Sequence, residues 1–287
     1  MSVNSYPIIT SDEAALLIKD GDTVSFSGFS PAGAAKVVPR AIALRARDEP
    51  TKAHRFKVRV LTGASSGHII DDELAQEAAV SWRAPYQSGP VLRRQINRQE
   101  VEYVDMHLSH VPQTVAEGFF GRIDFAVVEA TEITSDGRVF LTTSIGASPT
   151  YLRYAEKVII EINRHQSHRL REMADIFVMP PPPNRYPIHI YEPLTRIGLP
   201  YAIVDPKKVI GVVESDEPDR MDELAEPDET GHQIAEHVVN FLLEEMHKDR
   251  LPQNLLPLQA GVGNVANGVL AALGSHPDIP PFRMYSE

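Results

Sequence analysis

Short runs of β-branched residues alternate with helical patterns in the first two-thirds of this 287-residue chain, and this alternation constrains the fold most strongly. The strand-like runs lie at 23–26, 57–61, 101–106, 123–130, 157–162 and 209–213, and helical patterns lie at 35–47 and 74–80. The runs at 123–130 and 157–162 are mostly apolar, as expected of strands covered on both faces. Alternating strands and helices favour crossover connections. The sequence therefore predicts an α/β fold with a largely parallel sheet flanked by helices.

A polar, acidic stretch at 214–230 is interrupted by Pro218 and Pro227 and marks the best domain boundary in the chain. We predict a first α/β domain over residues 1–220 and the start of a second α/β domain over 221–287. The second region carries a helical pattern at 232–247, strand-like runs at 255–259 and 282–287, and an Ala/Leu-rich helix between them. Two strands cannot complete a parallel sheet, so the second domain is expected to be incomplete.

Composition excludes several classes of protein. With 28 basic and 39 acidic residues the net charge is −11, so the phosphate backbone of a nucleic acid is not an expected partner. The absence of cysteine excludes disulfides, thiolate metal sites and a cysteine nucleophile. We expect no metal site, because His107 and His110 are expected to hydrogen-bond locally. No signal peptide or membrane span is apparent, so a cytoplasmic protein without a membrane partner is predicted.

A glycine turn at 259–267 joins a predicted strand to a predicted helix. Gly261 and Gly263 allow the backbone to approach a ligand closely, and free N–H groups at a helix N-terminus attract anions and polarised oxygens. The pattern Gly261-x-Gly263-x-x-Ala266 also satisfies the looser dinucleotide fingerprint, with Glu287 in the place of a ribose-binding acid. An NAD-dependent oxidoreductase is therefore a lesser alternative, opposed by a proline inside the first strand.

Short motifs in a collinear order extend along the whole chain. They are Gly28-Phe29 with Gly33, LTGAS at 61–65, WRAPYQS at 82–88, DMHLSHVPQ at 105–113, VVE at 127–129, SIGASPT at 144–150, DP at 205–206, PDR at 218–220, LPQNLLPLQ at 251–259, GVGNVAN at 261–267 and YSE at 285–287. Together they resemble the acetyl-CoA hydrolase/CoA-transferase family, particularly its succinyl-CoA:acetate CoA-transferase-like members. No single motif is decisive, but a collinear set of this length is specific.

The resemblance implies acyl-CoA:carboxylate CoA transfer, or hydrolysis of acyl-CoA such as acetyl-CoA, through a glutamyl-CoA thioester. It implies that Glu287 is the nucleophile, that Gly261, Val262, Gly263, Asn264 and Val265 form the CoA and oxyanion site, and that Gly28, Gly33, Ser65 and Arg220 line the substrate pocket. Coenzyme A is then a substrate and not a tightly bound cofactor, and the second substrate is a small carboxylic acid. Full-length members are expected to form a homodimer.

The chemistry agrees with the residue types. A glutamate with an ordinary pKa of about 4.3 is ionised at pH 7 and needs no general base. Family members continue past this glutamate, so a second hypothesis is a catalytically silent fragment or a subunit that needs a C-terminal partner. If Glu287 is the last residue, its side chain lies beside the terminal carboxylate, and like charges so close are expected to raise one pKa.

Overall fold

The computed structural model describes residues 5–48, 55–192, 194–220, 227–256, 258–261 and 263–286. The chain divides into two compact units: unit 1 comprises Met1–His189 and Arg196–Met221, and unit 2 comprises Ile190–Thr195 and Asp222–Glu287. The boundary predicted between residues 220 and 221 stays a prediction, because residues 221–226 lie outside the described ranges. None of the helices in those ranges is long and apolar enough to cross a bilayer.

Unit 1 alternates helices and strands along the chain. Its helices are α1 (Ser11–Leu17), α2 (Val37–Asp48), α3 (Glu73–Gln76), α4 (Pro90–Asn97), α5 (Val111–Ala116) and α6 (Ser148–Tyr154). Its strands are β1 (Thr23–Phe26), β2 (Val58–Thr62), β3 (Val80–Ala84), β4 (Glu102–Tyr103), β5 (Phe125–Ile133), β6 (Arg138–Leu141), β7 (Lys157–Asn163), β8 (Ala202–Ile203) and β9 (Val209–Ser215). A π-helical turn lies at His68–Asp72, and 3₁₀ turns lie at Leu108–His110, His168–Glu172 and Pro206–Lys208.

The nine strands of unit 1 form one sheet in the described residues. Strands β4, β3, β2, β1, β5, β7 and β9 pair in parallel in that order, whereas β6 runs antiparallel to the second half of β5 and β8 runs antiparallel to β6. The chain moves outwards from β1 to β4 on one side and from β5 to β9 on the other. Its direction therefore reverses between β1 and β5, which is where open α/β sheets bind ligands, outside the carboxyl ends of the strands.

Successive residues of the central strands enter two different cores. Phe125 and Val127 of β5 pack with α1 to α4, whereas Ala126 and Val128 pack with α5 and α6. The sheet is thus covered on both faces, which explains the nearly continuous apolar run at 123–130. The predicted α/β fold, with a largely parallel sheet between helices, is confirmed.

The helix predicted over 74–80 is wrong beyond Gln76, because Val80 begins strand β3. The pairing of β2 with β3 shifts register between Val58 and Arg59 and leaves Ser81 as an extra residue. Val80 and Trp82 therefore enter opposite cores, and the strand lacks the period of two that identifies a regular strand. The strand predicted over 101–106 is also too long, since only β4 pairs there.

Unit 2 contains two helices and a pair of short strands in its described residues: α7 (Glu229–His247), β10 (Gln259–Ala260), α8 (Asn264–Ser275) and β11 (Tyr285–Ser286). The apolar faces of the helices form a small core that includes Val239, Met246 and Leu273. Strands β10 and β11 pair in parallel, with Gln259 opposite Tyr285 and Ala260 opposite Ser286. Among the described residues of the strands predicted at 255–259 and 282–287, only Gln259, Tyr285 and Ser286 are in strand conformation, and β10 extends one residue beyond the predicted end to Ala260. Residues 257 and 287 lie outside the described ranges.

Candidate active site

Three glycine-containing loops meet at the point where β1, β2 and β6 end. A Cβ atom on Gly63 would lie 2.6 Å from the backbone nitrogen of Ala147, and one on Gly146 would lie 2.8 Å from the carbonyl oxygen of Gly28. Only residues without a side chain permit this approach of one backbone to another. The loops thus converge at the reversal between β1 and β5, and the predicted pocket residues Gly28 and Gly33 belong to the first of them.

The 28–33 loop, comprising residues 28 to 33, has an unusual backbone conformation. Its φ angles are +124° at Gly28, +54° at Ser30 and +63° at Gly33. Side chains hold both backbone groups of Gly33: Ser27 Oγ donates to its carbonyl oxygen at 2.8 Å, and its N–H donates to Asp219 Oδ1 at 3.3 Å. Left-handed conformations are costly for residues other than glycine, so these tertiary contacts determine the shape of the loop.

A buried ionic cluster of Lys36, Glu129 and Asp219 contacts this loop on its protein side. The ammonium group of Lys36 donates to Glu129 Oε2 and to the carbonyl oxygen of Ala34, and it lies 2.9 Å from Asp219 Oδ1. Lys36 and Glu129 are each only 1 % exposed. Thr142 Oγ1 donates to the other oxygen of Glu129 at 2.7 Å, so the carboxylate accepts bonds at both atoms. Buried charges are tolerated when they are paired and hydrogen-bonded in this way.

Burial and pairing have opposite effects on the pKa values in this cluster. Burial raises the pKa of Glu129 to about 7, although Lys36 and Thr142 act to lower it. Burial lowers the pKa of Lys36, but the carboxylates of Glu129 and Asp219 outweigh that effect and raise it above the ordinary value. Lys36 is therefore charged at neutral pH, whereas Glu129 titrates within the physiological range.

The N-terminus of α2 lies beside this cluster, but its N–H groups already bind a carboxylate. The side chain of Glu161 accepts hydrogen bonds from the backbone N–H groups of Lys36 at 2.8 Å, Val37 at 3.1 Å and Val38 at 3.2 Å. Glu161 is fully buried, and burial raises its pKa despite these bonds. A helix N-terminus that already holds a protein carboxylate is not available to a substrate anion.

Ser65 connects the loops after β2 and β3. Its Oγ lies 2.7 Å from Ser88 Oγ and accepts hydrogen bonds from the N–H groups of Ser88 at 2.8 Å and Gly67 at 3.2 Å. A Cβ atom on Gly67 would lie 3.7 Å from Pro31, so this loop lies against the 28–33 loop. The structure therefore brings Ser65 to the same edge as Gly28 and Gly33.

Arg220 lies at this edge as well, with its guanidinium group bound to protein carboxylates. It donates to Glu73 Oε1 at 3.1 Å and lies 3.7 Å from Glu217, which Arg40 binds through two hydrogen bonds of 2.7 and 2.8 Å. The hydrogen bonds from Arg40 lower the pKa of Glu217, whereas burial raises that of Glu73. The Arg220 side chain is 50 % exposed and is therefore accessible to solvent.

The glycine turn of unit 2 has the strand–turn–helix arrangement predicted for it. Strand β10 ends at Ala260, Gly261 follows, and Gly263 precedes α8 with φ +141° and ψ 161°. Asn264 is the first residue of α8, and Val265 in its first turn is 49 % exposed. The first N–H groups of this helix begin directly after the turn. Val262 and Glu287 lie outside the described residues.

Sequence reasoning did not identify the buried cluster as a unit. Glu129 and Glu161 each interrupt an apolar strand, and they lie opposite each other in the pairing of β5 with β7. A carboxylate within a strand covered on both faces requires a cation or several hydrogen bonds, and this requirement is the signal present in the sequence. The sequence does not reveal that Lys36 and the N-terminus of α2 supply the partners.

Among the histidines, His68, which follows Gly67, has its Nδ1 2.7 Å from Asp72 Oδ2. The rings of His107 and His110 have centroids 5.7 Å apart. No group of three or more His, Asp or Glu side chains that would suit a metal ion is present in the part of the chain that the structure describes. The described groups at this edge include the hydroxyl of Ser65 and the half-exposed guanidinium of Arg220.

Comparison with known proteins gives close relatives that are about twice as long. The propanoyl-CoA:succinate CoA transferase of Escherichia coli K12 is 49% identical over 279 residues, which are 97% of this chain and 57% of that protein. The succinyl-CoA:acetate CoA-transferase of Clostridium kluyveri is 38% identical over 93% of this chain and 49% of that protein. An acetyl-CoA hydrolase of Schizosaccharomyces pombe is 39% identical over 94% of this chain and 53% of that protein. The chain spans about half the length of these curated relatives.

Solved structures and a family model agree with these relatives. RipA from Yersinia pestis has a TM-score of 0.67 at 21% identity. The match covers 100% of this chain and 58% of the RipA chain. A 4-hydroxybutyrate CoA-transferase from Porphyromonas gingivalis has a TM-score of 0.54 at 18% identity. The match covers 94% of this chain and 52% of the transferase chain. These likenesses support the fold. Residues 4–214 match the model of the acetyl-CoA hydrolase/transferase N-terminal domain, and the chain therefore belongs to the acetyl-CoA hydrolase/transferase family.

Proposed function

We propose that this chain takes part in acyl-CoA:carboxylate CoA transfer or acyl-CoA hydrolysis, with Glu287 as the nucleophile. The observation that carries the proposal is the parallel pairing of β10 with β11. The carboxyl ends of two parallel neighbours lie side by side, so the end of β11 adjoins the start of the glycine turn after Ala260. Glu287 follows Ser286 directly in the sequence, and this order supports a nucleophile beside the turn.

In the first step a carboxylate oxygen of Glu287 attacks the thioester carbonyl carbon of acyl-CoA. The carbon–sulfur bond breaks, coenzyme A leaves as its thiolate, and a mixed anhydride remains on the glutamate. The thiolate then attacks the glutamyl carbonyl carbon and displaces the acyl group as a free carboxylate. The product is a glutamyl-CoA thioester, and no external base is consumed because the glutamate starts ionised.

In the second step a different carboxylate attacks the glutamyl-CoA thioester, and the same two displacements in reverse order release a new acyl-CoA. If water takes the place of the acid, the thioester is hydrolysed and the outcome is acyl-CoA hydrolysis. Each displacement passes through a tetrahedral centre with negative charge on oxygen. We assign its stabilisation to N–H groups from Gly261 to Val265, because preorganised backbone donors stabilise such charge.

The loop edge of unit 1 suits the acyl and acid groups in this proposal. Ser65 supplies a hydroxyl, and Ser66 Oγ and Gln87 Oε1 are buried without a hydrogen-bond partner among the described residues. Arg220 supplies a cation that pairs bidentately with a carboxylate once it leaves Glu73. Coenzyme A and a small carboxylic acid are thus the proposed substrates. A cytoplasmic location is proposed as well, and a homodimer is proposed for full-length members of the family.

Covalent trapping tests the proposal. The protein is incubated with succinyl-CoA and quenched with borohydride, which reduces a glutamyl thioester to an alcohol, and its peptides are mapped by mass. We expect the modification on Glu287, its loss in Glu287→Gln, and its retention in Glu236→Gln, a matched change on the exposed face of α7. Modification of a different carboxylate in an active preparation would overturn the assignment of Glu287.

A second candidate is a CoA-binding chain that needs a partner for turnover, and the length comparison favours it, since the chain covers 57% of its E. coli relative. Trapping and turnover are therefore measured with and without an added polypeptide that corresponds to the second half of that relative. Turnover only in the mixture supports this candidate, and turnover by the chain alone contradicts it. Calorimetry with coenzyme A and with NAD distinguishes both from an oxidoreductase.

A further inference from the structure

Asp219 connects two loops of the candidate site to the buried cluster. Its Oδ1 accepts the N–H of Gly33 at 3.3 Å, and its Oδ2 accepts the hydroxyl of Thr143 at 2.5 Å. The ammonium group of Lys36 lies 2.9 Å from Oδ1. One carboxylate therefore joins the 28–33 loop, the loop after β6 and a buried lysine. Its side chain is only 11 % exposed, although it follows β9 in a largely exposed stretch.

The 28–33 loop depends on contacts from outside itself. Its own backbone supplies one hydrogen bond, from Phe29 N–H to the carbonyl oxygen of Ala32 at 3.0 Å. Ser144 Oγ also donates to Ala32 O at 2.8 Å, so Ser144, Ser27 and Asp219 together hold the C-terminal end of the loop at Ala32 and Gly33. Because the loop combines three left-handed residues, loss of one anchor leaves other conformations accessible.

Lys36 allows Asp219 to occupy this position. Asp219 and Glu129 both lie against the same ammonium group, and two carboxylates so close repel each other unless a cation lies between them. The third donor of Lys36 binds the carbonyl oxygen of Ala34, next to Gly33 in the chain. All three ammonium donors are thus in use, and two of them act on groups that adjoin or hold Gly33.

We propose that Asp219, held by Lys36, is a positioning residue that sets the conformation of the 28–33 loop for the acyl or acid group of the substrate. This inference rests on the proposed function, because it assigns the loop to the substrate pocket. Asp219 does not contact the reacting atoms in this proposal. It acts through the backbone of Gly33, and its effect is therefore expected on the acyl part of the substrate and not on free coenzyme A.

Amide exchange tests the positioning directly. With nitrogen-labelled glycine, NMR follows the Gly33 amide, and the Gly137 amide in the turn between β5 and β6 is the internal reference. We expect Asp219→Asn to accelerate exchange at Gly33 by about tenfold or more and to leave Gly137 unchanged, because local opening depends on local contacts. Thr143→Ala removes one partner of Asp219 and is expected to have a smaller effect. Asp216→Asn, a change at an exposed side chain of the same stretch, is the matched control.

Binding measurements then connect the loop to the substrate. In Asp219→Asn we expect the affinity for succinyl-CoA to fall about tenfold, while the affinity for free coenzyme A stays within about twofold of the unaltered protein. If Asp219 has a purely structural role, the variant should unfold at a lower urea concentration and lose affinity equally for succinyl-CoA and for coenzyme A. Unchanged exchange at Gly33, or equal losses of affinity, would overturn the inference.

The two proposals can fail separately. If the unaltered protein forms no adduct on Glu287, the proposed function fails, but the exchange of Gly33 still shows whether Asp219 holds the loop. If the adduct forms equally fast in Asp219→Asn and the unaltered protein, the positioning role fails while the proposed function stands. Should Asp219→Asn not fold, Thr143→Ala supplies the same comparison, since Thr143 is exposed and lies outside the cores.

Discussion

Ala260 lies opposite Ser286 in a parallel pairing that joins the strand before the glycine turn to the strand before Glu287. The first prediction concerns this turn. Gly263 has φ +141° and ψ 161°, a region that essentially only glycine occupies. A Cβ atom there would meet no atom within 4 Å, so Gly263→Ala strains the backbone without a clash. We expect the affinity for coenzyme A, measured by calorimetry, to fall about tenfold.

The matched control for this change is Gly274→Ala in α8. An added Cβ also meets open space there, but the residue lies in the last turn of the helix without a left-handed φ. Alanine is the better helix former, so this variant is expected to keep its coenzyme A affinity and to gain up to about 1 kcal/mol in unfolding free energy. Equal loss of affinity in the two variants would contradict a role for the conformation of the turn.

The second prediction concerns the 28–33 loop. In Gly33→Ala the new Cβ would lie 2.6 Å from Ser144 Oγ and 3.0 Å from the backbone nitrogen of Ser144, in addition to the strain of φ +63°. Gly121→Ala has a similar φ of +78° but meets open space. We expect Gly33→Ala to lose more unfolding free energy in urea, by about 1–3 kcal/mol beyond the loss in Gly121→Ala. Equal losses would show that the close approach to Ser144 carries no cost.

The third prediction concerns a buried ion pair between the π-helical turn at His68–Asp72 and strand β3. Arg83 donates to Asp71 at 2.7 and 3.1 Å, and neither side chain is accessible to solvent. Arg83→Met leaves the carboxylate of Asp71 buried without a counterion, and we expect a loss of about 3–5 kcal/mol in urea unfolding. Arg47→Met removes an exposed partner of Asp48 and is expected to destabilise the protein far less than Arg83→Met. A small loss in Arg83→Met would mean that water reaches Asp71.

The fourth prediction is a dependence of stability on pH. Burial raises the pKa of Glu129 from 4.5 to about 7, so between these values the folded protein binds a proton that the unfolded chain has lost. The contribution of Glu129 is therefore present below pH 4.5 and is lost as the pH rises through about 7. The loss corresponds to roughly 3 kcal/mol.

Glu129→Gln removes this titration. Urea unfolding of the unaltered protein and of this variant is measured from acid to neutral pH. We expect the difference in unfolding free energy between the unaltered protein and Glu129→Gln to decrease as the pH rises. A difference that increases with pH would mean that Lys36 lowers the pKa of Glu129 below its ordinary value.

Much of the fold was predictable because its signals are local. A strand covered on both faces is mostly apolar, and β5, β7 and β9 are recognisable on that basis. Strand β3 is not recognisable in this way, because the extra residue Ser81 removes the regular alternation of side chains between the two faces of the sheet. The candidate site shows the same division: its glycine turn is visible in the sequence, but the ionic cluster beneath the 28–33 loop is not.

The α/β class, the family and the positions of the glycines can be read from the sequence, since these depend on residue type and short spacing. How the glycines are used depends on long-range contacts in the folded chain. Gly33 and Asp219 are 186 residues apart in the sequence. Their hydrogen bond exists because β1 and β9 belong to one sheet, and the segments that follow these two strands both begin at its carboxyl edge. Lys36 is one of 28 basic residues in the sequence, and its burial between Glu129 and Asp219 distinguishes it from those at the surface. Local patterns specify what a residue prefers, whereas long-range pairing specifies which charges share a low-dielectric site.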